Sequence, residues 1–123
     1  MFLGDGHAAQ GDGELSGNAL ETSMDIEFSV DVMPRESPGM PRAEDDEFLM
    51  AMGIAGSLTE GLQLATTEMA RWLEARHKLN PSEVASVLGT AMRYDIAEVV
   101  DPLVNVVARV PKKALAQIQK SGR

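Results

Sequence analysis

From Met24 the chain alternates strictly: Met24, Ile26, Phe28, Val30 and Val32 fall on one side, and Asp25, Glu27, Ser29 and Asp31 on the other. A period of two is the mark of a strand with one dry and one wet face, so 24–33 is predicted as a β-strand. The preceding stretch, ELSGNALETS, is weakened by Gly17 and Asn18 but is compatible with an antiparallel neighbour, so that residues 14–33 read as two strands. Pro34, Pro38, Gly39 and Pro41 then mark a loop, and an acidic run from Glu44 to Glu47 leads into a short apolar strand, FLMAMGIAG. The period next changes to that of a helix. Ser57 and Glu60 form a capping-box pattern, after which Leu58, Leu62, Ala65, Met69, Trp72 and Leu73 recur at spacings that put them on one stripe, ending near His77 or Lys78. Asn80 followed by Pro81 opens a second helix, with Val84, Val87, Leu88, Ala91 and Met92 as its apolar face. Valine-rich extended segments are expected over 94–102 and 103–110, and a short terminal helix with a basic end after Pro111. Strands, a helical pair and strands again make an α+β chain.

The chain has 123 residues, enough for one domain with a core. Its net charge of -8, from 11 basic and 19 acidic residues, argues against binding nucleic acid or an anionic membrane surface, which need a basic face. No cysteine is present, which removes disulfides and thiolate zinc sites. The apolar run at Met1–Leu3 is too short for a signal peptide, and no apolar stretch approaches the roughly 20 residues that span a bilayer, so a soluble cytoplasmic protein is expected.

Candidate chemistry is concentrated in the opening MFLGDGHAAQGDGE, where Asp5, His7, Gln10, Asp12 and Glu14 are spaced by Gly4, Gly6, Gly11 and Gly13. No Gly-Lys-Ser/Thr follows, as a phosphate-binding Walker loop needs, and the acids would repel a pyrophosphate. The oxygen ligands do not follow the alternate spacing of an EF-hand. One imidazole with several carboxylates suits zinc, manganese or calcium, and a metal so held activates water or polarises a carbonyl. A polar surface turn rich in glycine uses the same residues, and composition leaves both readings open. His77, beside Arg76 and Lys78 at a helix end, reads as a surface cation favoured by the helix dipole. The run Glu44–Glu47 reads as a solvated face, and Met50, Met52, Met69, Met92 and Trp72 as packing residues. Ser16, Ser23 and Ser29 lack the setting of an activated serine.

GDGHAAQGDGELSGNALETSM resembles the signature of the acetamidase/formamidase family, amidohydrolases that split formamide or acetamide into ammonia and a carboxylate. PRAEDDEFLMAMG, SLTEGLQLATTEMARWLEARHKLNPSEVASVLGTA and DIAEVVDPLVNVVARVPKKAL are similar in order and content to the C-terminal part of those enzymes. The resemblance covers nearly the whole chain. It implies antiparallel β layers of sandwich or jelly-roll character combined with α+β elements, as an incomplete portion of a larger fold. Residues 1–56 would carry the motif loop and strands, 57–93 the helical hairpin, and 94–123 strands and a terminal helix. It also implies a metal-associated amidase site containing Asp5, His7, Gln10, Asp12, Glu14 and Glu21. In that site His7 and Asp5 would hold a divalent metal, zinc in first place with calcium or manganese as alternatives. Glu14, Glu21 and Asp12 would be catalytic, with Glu14 or Glu21 as general base, and Gln10 and Gly11 would bind a small amide substrate. Family members are more than twice as long. The chain is therefore expected to be a C-terminal segment, inactive alone, arising from a truncated or split gene or a mis-called start. Its expected partners are a missing N-terminal half or further copies of itself. The rival expectation is a small stand-alone metal-binding or structural module that oligomerises through open sheet edges.

Overall fold

The computed structural model describes residue 4, residues 6–33 and residues 37–121. In chain order the elements are β1 (Gly6–Ala9), a 3-10 turn (Asp12–Glu14), β2 (Leu20–Thr22), β3 (Arg42–Glu44) and β4 (Phe48–Ala55). There follow α1 (Leu58–His77), α2 (Pro81–Thr90), β5 (Arg93–Glu98), β6 (Val104–Pro111) and α3 (Lys112–Ser121). β1 and β2 form an antiparallel pair, and the other strands form a four-stranded antiparallel sheet in the order β3-β4-β6-β5. The α+β class expected from the pattern is what is observed, and it fits a portion of a larger fold.

Burial explains the sheet. Along β4 the side chains of Leu49, Ala51 and Ala55 are buried, and along β6 those of Val106, Ala108 and Val110. Leu49 stands opposite Val110 and Ala51 opposite Ala108, so both strands turn their small or branched residues to one face. α1 lies on that face and contributes Ala65, Met69, Trp72 and Leu73, while Val84 and Val87 of α2 and Leu115 of α3 complete the core. Contact between α1 and β4 is close enough to require glycine at Gly53, and a side chain at Gly61 on the facing helix would also fit tightly.

Local signals set the helix ends. Ser57 Oγ accepts from the Glu60 amide at 3.2 Å. Asn80 Oδ1 accepts from the amides of Ser82 and Glu83, and Glu83 returns a bond to the Asn80 amide, a complete capping box. Between the helices Lys78 takes the left-handed conformation, φ 57°, that turns the chain. The acidic run also has a local task, since Asp45 Oδ1 accepts from the amides of Glu47 and Phe48 at 2.7 Å. Glu44 pairs with Arg76 and Lys112, and these two cations hold its carboxyl below the usual range.

His77 departs from its expected role as a surface cation. It is half-buried, and its Nε2 is buried without a hydrogen-bond partner among the described residues. Burial first, and then the adjacent Arg76, lower its pKa. Folding therefore favours the neutral ring, and stability present above the ordinary imidazole value of about 6.5 is lost as pH falls below it. His77→Gln should flatten that dependence, checked by urea midpoints of both proteins at about pH 7.5 and about pH 5.5.

The larger departure is at 24–33. Residues 23–33 carry neither strand nor helix, and every one is exposed. The partner expected for that strand is used elsewhere: Leu20–Thr22 pairs with Gly6–Ala9, inside the stretch read as a ligand loop. Alternation reports which face a strand would bury, but a ladder needs a second backbone, and no described segment offers one.

Candidate functional site

The glycine-rich stretch folds as β1, the 3-10 turn and β2, packed against the outer edge of β5. Two hydrogen bonds, one between backbones and one from a side chain, tie it there: the Val99 amide donates to Gly13 O at 3.0 Å, and Gln10 Nε2 donates to Ala97 O at 2.8 Å. An edge strand otherwise open to solvent is thereby covered in part. Gly13 is buried with φ 78°, and a side chain there would press on Val99 and Leu15, so glycine is needed for both reasons. Glu14 follows with φ 48°, an unusual backbone for a residue with a side chain, closed by bonds from Glu14 N to Gly11 O and from Gly17 N to Glu14 O.

Pairing of β1 with β2 sets His7 opposite Glu21. The ring is held from both sides, with Nδ1 2.8 Å from Gln10 Oε1 and Nε2 3.2 Å from Glu21 Oε1. Because the Gln10 amide nitrogen is committed to Ala97 O, its oxygen must be the atom facing His7, and Nδ1 therefore donates. Nε2 is then the atom directed at the Glu21 carboxylate, where a proton, or a cation in its place, is required between them. The sequence motif thus becomes an ordered relay from Ala97 O through Gln10 and His7 to Glu21.

Glu14 lies apart from that relay, beside a second acidic pair. Glu98 and Asp101 share a hydrogen bond that raises the Glu98 pKa, and loss of solvent contact and the charges of Asp101 and Glu14 act in the same direction. An open hollow of about 510 Å³ adjoins them, lined by Ile54, Glu98, Asp101, Leu103 and Asn105. Asn105 Oδ1 is buried with no hydrogen-bond partner among the described residues. Glu98 and Asp101 stand in the quoted segment DIAEVVDPL, but no spacing rule linked them to Glu14. The link is made by Val99 bonding to Gly13, a contact between the two ends of the chain.

The remaining expectations are distributed as follows. Asp12 and Gly11 are exposed on the turn, and Gly11 contributes its carbonyl to the Glu14 amide. Asp5 lies outside the described residues. Among the described residues no group of three or more His, Asp or Glu is placed to hold a metal ion. His7 Nε2 and Glu21 Oε1 are separated by 3.2 Å. That is close to the N···O edge of roughly 3.3 Å expected in tetrahedral zinc, so the spacing of the pair is compatible with two of four ligand positions. A second groove, about 430 Å³, is bounded by Asp31, Pro38, Glu44, Trp72, Arg42 and Arg76. Its two guanidiniums are already paired, Arg42 with Glu68 and Arg76 with Glu44, so it has less charge to offer a ligand. No described helix is long and apolar enough to cross a membrane.

No protein-family model matches the chain, and no curated protein does. Solved structures do match. An acetamidase from Yersinia enterocolitica is 29% identical with a TM-score of 0.77, over 89% of this chain and 33% of that one. An acetamidase from Bacillus halodurans is 25% identical with a TM-score of 0.78, over 90% and 38%. A predicted acetamidase/formamidase from the thermophile Thermoanaerobacter tengcongensis shares the fold, with a TM-score of 0.79 over 90% and 37% at 24% identity. The chain spans a little over one third of the length of these structures, and it matches that part of the acetamidase/formamidase family.

Proposed function

We propose that this chain supplies part of an amidohydrolase site that splits a short linear amide, formamide or acetamide, into ammonia and a carboxylate. The observation that supports this is the His7–Gln10–Glu21 relay on a chain similar to acetamidases over nearly all its length. In the proposed reaction a water attacks the amide carbon, its proton passes to Glu21, and Glu21 returns that proton to nitrogen as the C–N bond breaks and ammonia leaves. Glu21 is the general base, and His7 positions it because Gln10 keeps the ring from turning. Glu98 and Asp101 line the hollow, with the charge of Glu14 acting on Glu98, and would accept hydrogen bonds from an amide NH2 group.

A divalent metal would be held by His7 and by Asp5, leaving Glu21 as the base beside it. When bound, it would polarise the amide carbonyl or lower the pKa of water. The remaining two thirds of such a fold lie outside this sequence, so the chain alone is proposed to show no turnover, because a site held only in part tolerates little misplacement.

Placing this chain in the matched third of the Bacillus halodurans acetamidase gives a chimera in which the site can be tested. Ammonia release from acetamide is expected from the chimera, with kcat falling about a hundredfold or more in Glu21→Gln. Undiminished turnover in Glu21→Gln, or a folded chimera without turnover, would overturn the proposal.

A further inference from the structure

The segment 23–33 is the part of the molecule whose chemistry is least used by the described fold. Met24, Ile26, Phe28, Val30 and Val32 are 51%, 53%, 55%, 68% and 88% exposed, five apolar side chains at alternate positions on a segment that pairs with no described strand, although the Met24 side chain lies against Gly6 of β1. Scattered apolar side chains on a surface are ordinary, but a run with the period of a strand describes a face intended for burial. The other side of the same run is anionic, with Asp25, Glu27 and Asp31.

We infer that residues 23–33 are a docking strand, which pairs by β-augmentation with a strand of another polypeptide that is apolar on one face and basic on the other. Two observations select this occupant. First, the chain matches only 33% and 38% of the length of solved structures with this fold, so most of such a fold lies outside this sequence. Second, charge disfavours a second copy. In the antiparallel pairing that overlaps 23–33 fully with itself, Asp25 stands opposite Asp31 at both ends, and a parallel pairing in register sets each acid against its own copy. Like charges directly opposite destabilise a sheet pair, and the two chains would each bring a net charge of -8. A partner with lysine or arginine at those positions reverses the sign at all three acids, while main-chain bonds supply the affinity. The inference stands on the exposed run and on charge, and does not depend on amide hydrolysis.

Hydrogen exchange of the full chain tests this with two synthetic ten-residue peptides, one alternating valine with lysine and the other valine with glutamate. The lysine peptide is expected to slow exchange of the amides within 23–33, and to bind roughly tenfold or more tightly than the glutamate peptide, a preference that salt weakens. Asp25→Lys with Asp31→Lys should reverse the preference, and Ile26→Asp with Phe28→Asp should abolish the protection. These positions are exposed, so the thermal midpoint should not move in either variant. Protection of 23–33 that rises with the concentration of the chain alone would assign the surface to a second copy and overturn the inference. So would equal effects of the two peptides, or none from either.

Discussion

Replacement of Gly53 by alanine is expected to cost at least about 3 kcal/mol of stability, because the added methyl has no direction in which to move. A Cβ at Gly53 overlaps the carbonyl oxygen of Gly61 and comes within 2.7 Å of the Ala65 amide nitrogen, both of them backbone atoms of α1. A side chain could rotate away, but a helix backbone can yield only by lifting the whole of α1 from β4. Lifting α1 would uncover Ala65, Met69 and Leu73, each fully buried in the core. Gly61→Ala is the informative control. Its Cβ would lie 3.0 Å from Gly53 O and 3.2 Å from a Val106 methyl, a tighter fit than ordinary contact but one that a small shift relieves. Alanine also gains about 1 kcal/mol of helix propensity over glycine, so the net cost at 61 should be well under that at 53. Urea unfolding of the two variants checks the order, and equal midpoints would show that α1 does not sit as closely on β4 as described.

Glu68→Ala is expected to cost about 3–5 kcal/mol, because it leaves a guanidinium largely withdrawn from water without its counter-charge. Glu68 is 1% exposed and is the buried charged residue among the described core positions. Its Oε1 accepts from Arg42 Nε at 2.6 Å and its Oε2 from the Gly39 amide at 3.1 Å. Arg42 in turn lies 5.3 Å from the centre of the Trp72 ring, so one carboxylate fastens the edge strand β3 and the turn before it to α1. Replacing both partners by apolar residues of similar volume, Glu68→Leu with Arg42→Met, should be far milder than either single change, since no charge is then left unpaired. A double-mutant cycle by chemical denaturation measures the difference. Additive costs would show that the pair is not coupled.

Both effects arise where a pattern carries an exception that can be read only in part. Glu68 interrupts the stripe formed by Ala65, Met69 and Trp72, and a polar residue there signals a buried partner, although nothing local identifies Arg42. Gly53 interrupts an apolar strand, which signals a close approach without saying to what. The candidate site divides in the same way. Membership of Asp12, Glu14, His7 and Gln10 in one loop is a matter of adjacency, and Glu21 joins them because β1 pairs with β2. Glu98 and Asp101 join Glu14 only because β5 runs beside the turn, which no spacing along the chain expresses.

What the sequence determined by itself is therefore whatever is settled within a few residues: the span of α1, the capping box of α2, the central strands β4 and β6, and the crowding of polar groups among the glycines of the opening loop. Capping bonds and helical periodicity have their partners three or four positions away, so local order suffices to specify them. Tertiary structure alone decided that 6–9 and 20–22 are paired while 24–33 is not, although the alternation there is the cleanest in the chain. It alone decided that burial lowers the pKa of His77 and that Gln10 fixes the ring of His7. The physical reason is the same in each case. A strand, a buried titratable group and a positioned imidazole are completed by atoms distant in sequence, and the hydrogen bond or the lost water that defines them exists only once those atoms have met.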